Sequence, residues 1–338
     1  MKNLIFPFLL LLTFIFSCRE NDIEENLEKK VSSYDLYIAG RENSKACYWK
    51  NGTKVNLVSG DDIYLEKIFV ENNNVYAYGS ALSILDKFTF WKNNIKYDVL
   101  QYLGISSGLY FRVFDFYVEN NDIYILGLVE NPNPITSSVR YQLCYWKNGV
   151  KVILNTSATD NFSTNWQEMA VYNNDVYISV KKESTLGYYK NNIYNLITTN
   201  GFSSGIAKNS NGVYITVQDN VISNSYYLNF ITGQTTNSKL GYKLFIDNND
   251  FYSLSGFNEY LKNGTVIQVN DSQNYNNIKD LHVVNQNKFM IRTKITQGTI
   301  FGIEDKVFIN GVENQHIIQE MGGIEYKNSF NSLYVVEN

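Results

Sequence analysis

The sequence contains few of the residues from which metal centres, disulfide frameworks and acid–base catalytic sites are built. Its 338 residues include three cysteines, three prolines and two histidines. The two histidines, His282 and His316, stand far apart in sequence, and no two cysteines have the spacing of a zinc site. We therefore predict no metal and no cofactor, and the sequence indicates no catalytic residue.

Charge is also scarce. Charged residues make up 18% of the chain and the formal net charge is -4, so there is no basic surface of the kind that binds nucleic acid. Hydrophobic residues make up 44%, which is enough for a large core, and aromatic residues make up 15%. Because Tyr, Phe and Trp suit a packed pleated surface, the composition predicts an all-β protein.

The N-terminus has the features of a targeting segment. Lys2 precedes an apolar run over residues 4–16, and Ser17 stands before Cys18. The run is shorter than the ~20 residues that span a bilayer, although a plain membrane anchor is the alternative. We predict a signal peptide over residues 1–17, a flexible acidic tether over 18–32 and one domain over 33–338.

The segment around Cys18 resembles the lipobox of bacterial lipoproteins, in which the cysteine is lipidated and becomes the first residue. The acidic stretch over residues 19–26 resembles the signal that sends lipoproteins of the Bacteroidota to the outer face of the outer membrane. This resemblance implies a lipid anchor on Cys18 in the outer membrane, with the protein exposed at the surface or else periplasmic.

A repeated motif dominates the rest of the chain. The stretch Cys47-Tyr48-Trp49-Lys50-Asn51-Gly52 recurs in altered form at residues 90–94, 145–149, 188–192, 260–264 and 308–311. A more degenerate copy lies at residues 227–229. Asn-Gly between two strands predicts a hairpin, because a type I′ turn needs positive φ at both central residues. A unit that recurs in this way indicates a repeat architecture.

A second motif alternates with the first. A polar turn leads into a strand centred on an aromatic residue, as in Asp122-Ile123-Tyr124, and a short apolar run lies upstream. Each repeat therefore has four short strands, A to D, where C ends in Tyr-Trp-Lys and D follows Asn-Gly. Four-stranded antiparallel units repeated about seven times predict a β-propeller with seven blades, or eight with one incomplete.

The chain is expected to begin part-way through a repeat and to end in an A–B hairpin over residues 324–336, with Tyr334 on strand B. That hairpin would close the ring against the N-terminal strands. The pattern resembles Kelch-type propellers, and the repeated Tyr-Trp-Lys-Asn-Gly resembles propeller lipoproteins of the Bacteroidota. The double glycine of Kelch repeats is missing, so the resemblance implies a fold and no function.

Cys47 and Cys144 occupy the same position in different repeats. Equivalent positions in non-adjacent blades lie beyond the ~7 Å Cα separation that a disulfide allows. We predict that both are buried free thiols.

Antiparallel strands place all B–C and D–A loops on one face of the disc, and these loops are longer and more varied than the A–B and C–D turns. We predict that this face binds the ligand, because function concentrates on loops. The candidate ligand-binding residues are Trp166, Arg112, Arg140, Tyr110, Tyr102 and Tyr275. Alternatively, these aromatic side chains pack over the blade ends.

A second candidate site is a ring at the channel mouth. The position nine residues before the strand B aromatic is charged in six repeats, at Lys67, Asp115, Glu168, Lys243, Asp280 and Glu325. Such a ring either consists of mutually paired, solvated charges or binds a ligand.

Two hypotheses of function follow. The first is a non-enzymatic, monomeric envelope protein whose propeller binds an unknown extracellular glycan or protein and which meets the membrane only through its lipid. The alternative is a glycoside hydrolase or lyase that uses carboxylates at the channel mouth, for which two carboxylates ~5 to 9.5 Å apart are needed.

Overall fold

The computed structural model describes residues 33–81, 88–160, 167–269, 275–295, 302–319, 321–322 and 325–338. Residues 35–336 form one compact unit, and the other unit comprises residues 1–34 with 337–338. The predicted signal peptide and the whole tether, with Cys18, lie outside the described residues, and so does Trp166.

The domain is a β-propeller of seven four-stranded antiparallel blades, as predicted. We number the blades along the chain and name the strands A to D from the central channel outward. The strands of the first four blades, in the order A, B, C and D, are Ser329–Glu337, Tyr34–Glu42, Lys45–Lys50 and Thr53–Asp61 in blade 1; Ile63–Glu71, Asn74–Ala81, Phe88–Lys92 and Ile95–Asp98 in blade 2; Phe111–Glu119, Asp122–Glu130, Tyr141–Lys147 and Val150–Ser157 in blade 3; and Met169–Tyr172, Asp175–Lys182, Thr185–Lys190 and Ile193–Thr198 in blade 4.

The other three blades have the same order. Their strands are Ile206–Asn209, Gly212–Asp219, Asn224–Asn229 and Thr235–Asn237 in blade 5; Tyr242–Asp247, Asp250–Leu254, Glu259–Lys262 and Thr265–Gln268 in blade 6; and Asn277–Val284, Asn287–Ile295, Gly302–Ile309 and Val312–Ile318 in blade 7. Smaller elements are the strand Gly201–Phe202, the pair Met321–Gly322 and Glu325–Tyr326, the α-helix Val99–Leu103 and the 3-10 helix Ser137–Val139. No helix in the described ranges is long and apolar enough to cross a membrane.

Ring closure differs from the expectation in one respect. Tyr334 lies on Ser329–Glu337, which pairs with Tyr34–Glu42 and is the innermost strand of blade 1. It is therefore an A strand, and the predicted A–B hairpin over residues 324–336 was wrong. Counting Tyr334 as a B strand produced the surplus that suggested eight blades.

The repeated Lys-Asn-Gly motif is explained by contacts with the start of strand B. In blade 3, Asn148 accepts a hydrogen bond from the backbone N–H of Ile123 (2.9 Å) and donates to Asp122 (2.7 Å). Lys147 lies 2.8 Å from the other oxygen of Asp122 and 5.4 Å from the ring centroid of Tyr124. The two sequence motifs are thus two halves of one contact set, which we call the turn clamp.

The turn clamp recurs around the disc. Blades 1, 4 and 6 repeat it with Asp35, Asp175 and Asp250 as the acid. Blades 2 and 7 have Asn74 and Asn287 at this position and keep the amide hydrogen bonds. The turn residues have the positive φ that the sequence predicted, as at Asn148 (49°).

The strand C tryptophans occupy equivalent register positions and are buried, as predicted. Trp91 and Trp146 are 0% and 1% exposed, and each belongs to a hydrophobic cluster shared by two consecutive blades. The indole N–H of Trp91 donates to the carbonyl of Val58 in blade 1 (2.9 Å). Trp49 is 4% exposed and packs edge-on against Phe330 of its own blade.

Cys47 and Cys144 are free and buried, and each lies opposite a strand B glycine. Burial raises the pKa of each thiol to about 12. Both therefore remain protonated and act as small core residues.

Candidate functional site

The central channel holds a cavity of about 530 Å³. All seven A strands contribute to its lining. A cavity of this size is within the range of small-molecule sites.

A β-bulge places a polar residue of strand A in this cavity. In blade 2 the bulge lies between Leu65 and Lys67, and the following strand opposes it with Gly79. A Cβ on Gly79 would lie 2.4 Å from the carbonyl oxygen of Tyr64, so only glycine fits there. Blade 3 repeats the arrangement with Gly127. The glycine that closes strand B is thus the sequence signal of the bulge.

The structure brings together five of the six residues that the sequence placed in a ring. We call the observed set the charged ring; its cavity-lining members are Lys67, Asp115, Glu168, Lys243, Asp280 and Ser332. Glu325 belongs to the short strand Glu325–Tyr326, which pairs with Met321–Gly322 and is not one of the seven A strands. The count back from Tyr334 assumed a B strand, whereas on an A strand the equivalent residue is Ser332, two positions before Tyr334.

The carboxylates of the charged ring join neighbouring blades. Each accepts a hydrogen bond from a backbone N–H on the next A strand: Asp115 from Met169 (2.9 Å), Glu168 from Ile206 (2.9 Å) and Asp280 from Leu333 (2.8 Å). These bonds bridge blades 3 and 4, 4 and 5, and 7 and 1.

The lysines extend the same network. Lys67 forms an ion pair with Asp115. Lys243 lies 3.4 Å from Asp280 and donates to the carbonyl of Lys279 (3.1 Å). Most charged side chains of the ring are therefore in ion pairs or hydrogen bonds. These contacts fix the positions of the blades around the axis.

Burial changes the proton affinity of these groups. Burial raises the pKa of Glu168, against the lowering effect of Lys67. Burial likewise raises the pKa of Glu66, which also lines the cavity. For Lys67, burial lowers the pKa, but Asp115 more than offsets this, so the pKa is raised and the ammonium stays charged. Glu168 and Glu66 thus hold a proton more tightly than a free glutamate does.

Next to the charged ring lies a wall of aromatic side chains, which the sequence analysis did not identify. We call it the aromatic girdle; its members are Phe69, Tyr117, Phe245, His282 and Tyr334. The Phe69 centroid lies 5.5 Å from that of Tyr117 and 5.8 Å from that of Tyr334. His282 lies 5.9 Å from both Tyr334 and Phe245. The available sequence signal was an aromatic residue two positions after the ring position in five A strands.

The girdle is incomplete on one side. Blades 4 and 5 have Ala170 and Ala207 at the equivalent positions, and Ala207 lines the cavity. Toward the A–B turns, the cavity is lined by Glu71, Glu119 and Lys208, and Lys208 forms an ion pair with Glu119.

A second polar cluster lies on the B–C and D–A face of blade 3. The rings of Tyr110 and Tyr141 are 5.6 Å apart, and the Arg140 guanidinium lies 5.1 Å from the Tyr141 centroid. Arg140 also forms an ion pair with Glu130 (3.1 Å). Arg112 is exposed and interacts with the Tyr110 hydroxyl. The structure therefore brings together Tyr110, Arg112 and Arg140; we call this the blade-3 surface.

Two other predicted ligand-binding residues lie elsewhere. Tyr275 is 1% exposed and packs against Phe308, so it belongs to the core of blade 7. Tyr102 belongs to the helix at the outer edge of blade 2 and packs edge-on against Phe90 (5.0 Å). Its carbonyl lies against the C–D turn at Gly149, away from the B–C and D–A loops.

Two segments match the pattern Gly-x-Ser-x-Gly, at residues 104–108 and 201–205. A hydrolase nucleophile in this motif sits between a strand and a following helix, whereas here each segment leads into an A strand. Ser203 is hydrogen-bonded to Thr216. Within the described residues, no group of three or more His, Cys, Asp or Glu side chains could hold a metal ion.

No protein-family model matches the sequence, and no curated protein matches it. Among solved structures, the chain is similar to a puromycin-hydrolysing peptidase from Mycobacterium tuberculosis, with 8% identity and a TM-score of 0.50 over 80% of this chain and 53% of the peptidase. The chain thus spans about half the length of that protein.

Two further structures are similar over more of their length. AztD from Citrobacter koseri is 10% identical, with a TM-score of 0.44 over 87% of this chain and 84% of AztD. The dihydro-haem d1 dehydrogenase NirN is 8% identical, with a TM-score of 0.48 over 88% of this chain and 74% of NirN. At these identities the comparisons concern the fold alone. The chain is a seven-bladed β-propeller with a polar central cavity.

Proposed function

We propose that this chain is a non-enzymatic lipoprotein of the cell envelope whose propeller binds an extracellular glycan or protein through the face that carries the B–C and D–A loops. The blade-3 surface is the observation that carries the proposal. Its arginines come from two different loop-flanking segments and point a pair of guanidinium groups outward beside Tyr110 and Tyr141. Tyr and Arg are the residue types that contribute most to binding in interfaces.

The chemistry of the blade-3 surface favours a ligand that carries carboxylate or sulfate groups. A guanidinium held against an aromatic ring loses little freedom on binding and presents its donors in a fixed plane. Arg140 lies over Tyr141, and Arg112 lies 5.8 Å from the centroid of Phe114. An acidic glycan or an acidic protein segment matches these donors.

The pairing of two channel carboxylates, Asp115 and Asp280, weighs against their use as the two acids of a glycoside hydrolase. A retaining or inverting glycosidase needs two carboxyl groups free to act on one bond. Asp115 and Asp280 are each hydrogen-bonded to a backbone N–H and paired with a lysine. Their role in joining blades accounts for their presence.

The lipid anchor is the second part of the proposal. Cys18 would be acylated after removal of residues 1–17, and residues 18–32 would tether the propeller to the outer membrane, as a monomer exposed at the cell surface. Trp166, which lies outside the described residues, stays a predicted ligand-binding residue.

An array of sulfated and uronic-acid glycans, with a pull-down on acidic extracellular proteins, tests this proposal. We expect the double variant Arg112→Ala with Arg140→Ala to lose roughly tenfold or more in affinity, because charge-assisted hydrogen bonds are removed. The melting temperature should hardly change. Lys239→Ala, an exposed cation on another D–A segment, is the matched control.

Equal binding by the double variant and the control would contradict the role of the blade-3 surface. On intact cells, surface binding of the same glycan should require Cys18 and be absent in Cys18→Ala. Retained surface binding in that variant would contradict the anchor.

A further inference from the structure

The central cavity contains more acidic than basic side chains. Among the residues that the structure describes, six carboxylates and three lysines line it. Each lysine has one carboxylate as its ion-pair partner: Lys67 with Asp115, Lys243 with Asp280, and Lys208 with Glu119. Three carboxylates are left over.

The three remaining carboxylates are held by uncharged donors. Glu66 accepts from the hydroxyl of Ser80, Glu71 from the backbone N–H of Asn121 (2.8 Å), and Glu168 from a backbone N–H of blade 5. Burial lowers the pKa of His282, so the imidazole adds no positive charge. A cationic ligand would therefore find three carboxylates in the cavity that are not paired with a lysine.

The aromatic girdle lies between these carboxylates along strand A of blade 2. Glu66 and Glu71 are five residues apart on one strand, which corresponds to about 16 Å of extended chain. Phe69 lies between them in sequence and lines the same cavity. The cavity therefore has carboxylates toward both ends and aromatic rings in the middle, with small side chains on the opposite wall.

The protein itself places one ammonium group in this environment. The Nζ atom of Lys208 pairs with Glu119 and lies 5.8 Å from the ring centroid of Tyr117. Ammonium groups are attracted to aromatic faces, and a neighbouring carboxylate adds to that attraction. Tyr117 and Tyr334 remain neutral, since burial raises the pKa of both.

We propose that the channel binds a linear polyamine. Its ammonium groups lie at two levels of the channel, one at Glu66 and Glu168 and the other at Glu71. Its methylene chain lies against the aromatic girdle. The excess of three carboxylates matches a triamine. This site is separate from the blade-3 surface, and either proposal can fail without the other.

Isothermal titration calorimetry on the mature protein tests the ligand class. Spermidine is the probe, with propylamine as the monoamine and citrate as an anion of similar size. We expect spermidine to bind at least roughly a hundredfold more tightly than propylamine, because two further charge-assisted contacts form. Absence of spermidine binding, or a preference for citrate, would overturn the proposal.

Two variants remove charge and keep the fold. In Glu168→Gln and Glu71→Gln, the amide oxygen can still accept the backbone hydrogen bond. Each should weaken spermidine binding roughly tenfold. Glu183→Gln, which neutralises an exposed glutamate in the B–C turn of blade 4, is the matched control and should bind like the wild type. Unchanged affinity in both channel variants would show that the carboxylates do not hold the ligand.

A third variant tests the sign of the charge argument. Lys208→Met leaves Glu119 without its lysine and adds a fourth unbalanced carboxylate. Spermidine should then bind several-fold more tightly. Weaker binding in this variant, with thermal unfolding unchanged, would overturn the charge argument.

Discussion

Single side chains in this propeller connect segments that lie far apart in sequence. Asn191 in the C–D turn of blade 4 accepts from the N–H of Val176 (2.9 Å) and donates to Asp175 (2.9 Å), while Lys190 pairs with the same carboxylate (2.9 Å). The hydrogen bonds from Lys190 and Asn191 lower the pKa of Asp175. The repeated short motif is therefore explained by a repeated contact, and the motif needs no catalytic role.

The turn clamp leads us to expect that the effect of Asp175→Asn on the free energy of unfolding depends on pH. Since the folded-state pKa is lowered, the ion pair stabilises the fold above the usual value of 3.8, and this contribution is lost as the pH falls through the folded-state pKa. The side chains are 46% and 35% exposed, so screening limits the expected cost at neutral pH to about 0.5 kcal/mol. Urea unfolding at pH 7 and pH 3 measures the difference.

Asn191→Ala is the comparison. It removes both side-chain hydrogen bonds at a position with φ of 56°, so we expect a cost of about 1 to 3 kcal/mol at both pH values. A cost of Asp175→Asn that stayed constant from pH 7 to pH 3 would show that the ion pair does not contribute.

At the scale of the element, blades 2 and 3 combine a strand A bulge with a buried strand C tryptophan that lies in a hydrophobic cluster shared with the preceding blade. The bulge directs a polar residue to the channel, and the strand B glycine makes room for it. Trp91 fills the space between blades 1 and 2 and is fully buried. At the distance of strand C from the axis, side-chain contacts between sheets hold neighbouring blades together, whereas the backbone hydrogen bonds lie within each sheet.

Trp91→Ala should destabilise the fold by about 3 to 5 kcal/mol, because it leaves a cavity between two blades and removes the hydrogen bond to Val58. Thermal unfolding followed by circular dichroism measures the effect. Phe257→Ala, at a side chain that is 70% exposed, should change stability by less than about 0.5 kcal/mol. Similar costs for the two variants would contradict the assigned packing.

At the scale of the whole molecule, one C-terminal strand completes the ring. Phe330 is fully buried against Trp49, and its N–H donates to Asp305 (3.0 Å) of blade 7. Asp305 is itself fully buried and also pairs with Lys279 (2.9 Å). A chain that lacks this strand would expose the edges of blades 1 and 7, since closure is what protects them.

A chain ending at residue 328 should therefore unfold at a much lower temperature than the full chain, and hydrogen exchange should increase first in blades 1 and 7. A synthetic peptide of residues 329–337 added in trans should restore part of the lost stability. A chain ending at residue 336 is the control and should resemble the full chain. Wild-type exchange rates in the chain ending at 328 would contradict this mode of closure.

The sequence by itself determined the strand-and-turn pattern, the four-stranded repeat and the equivalent positions of Trp49, Trp91 and Trp146, and it favoured seven blades over eight. These features follow from turn chemistry and strand propensity, which act over a few residues. It also predicted most of the charged ring, because a fixed distance from the strand B aromatic implies a fixed place on strand A.

Only the tertiary structure decided which side chains meet at the axis. Glu325 was counted for the ring and Ser332 was not, because the identity of the last strand depends on closure: Asn331 donates to the carbonyl of Leu65 (2.7 Å), 266 residues away. The aromatic girdle likewise depends on packing between blades. Such contacts join residues from separate repeats, so no local pattern in the chain specifies them.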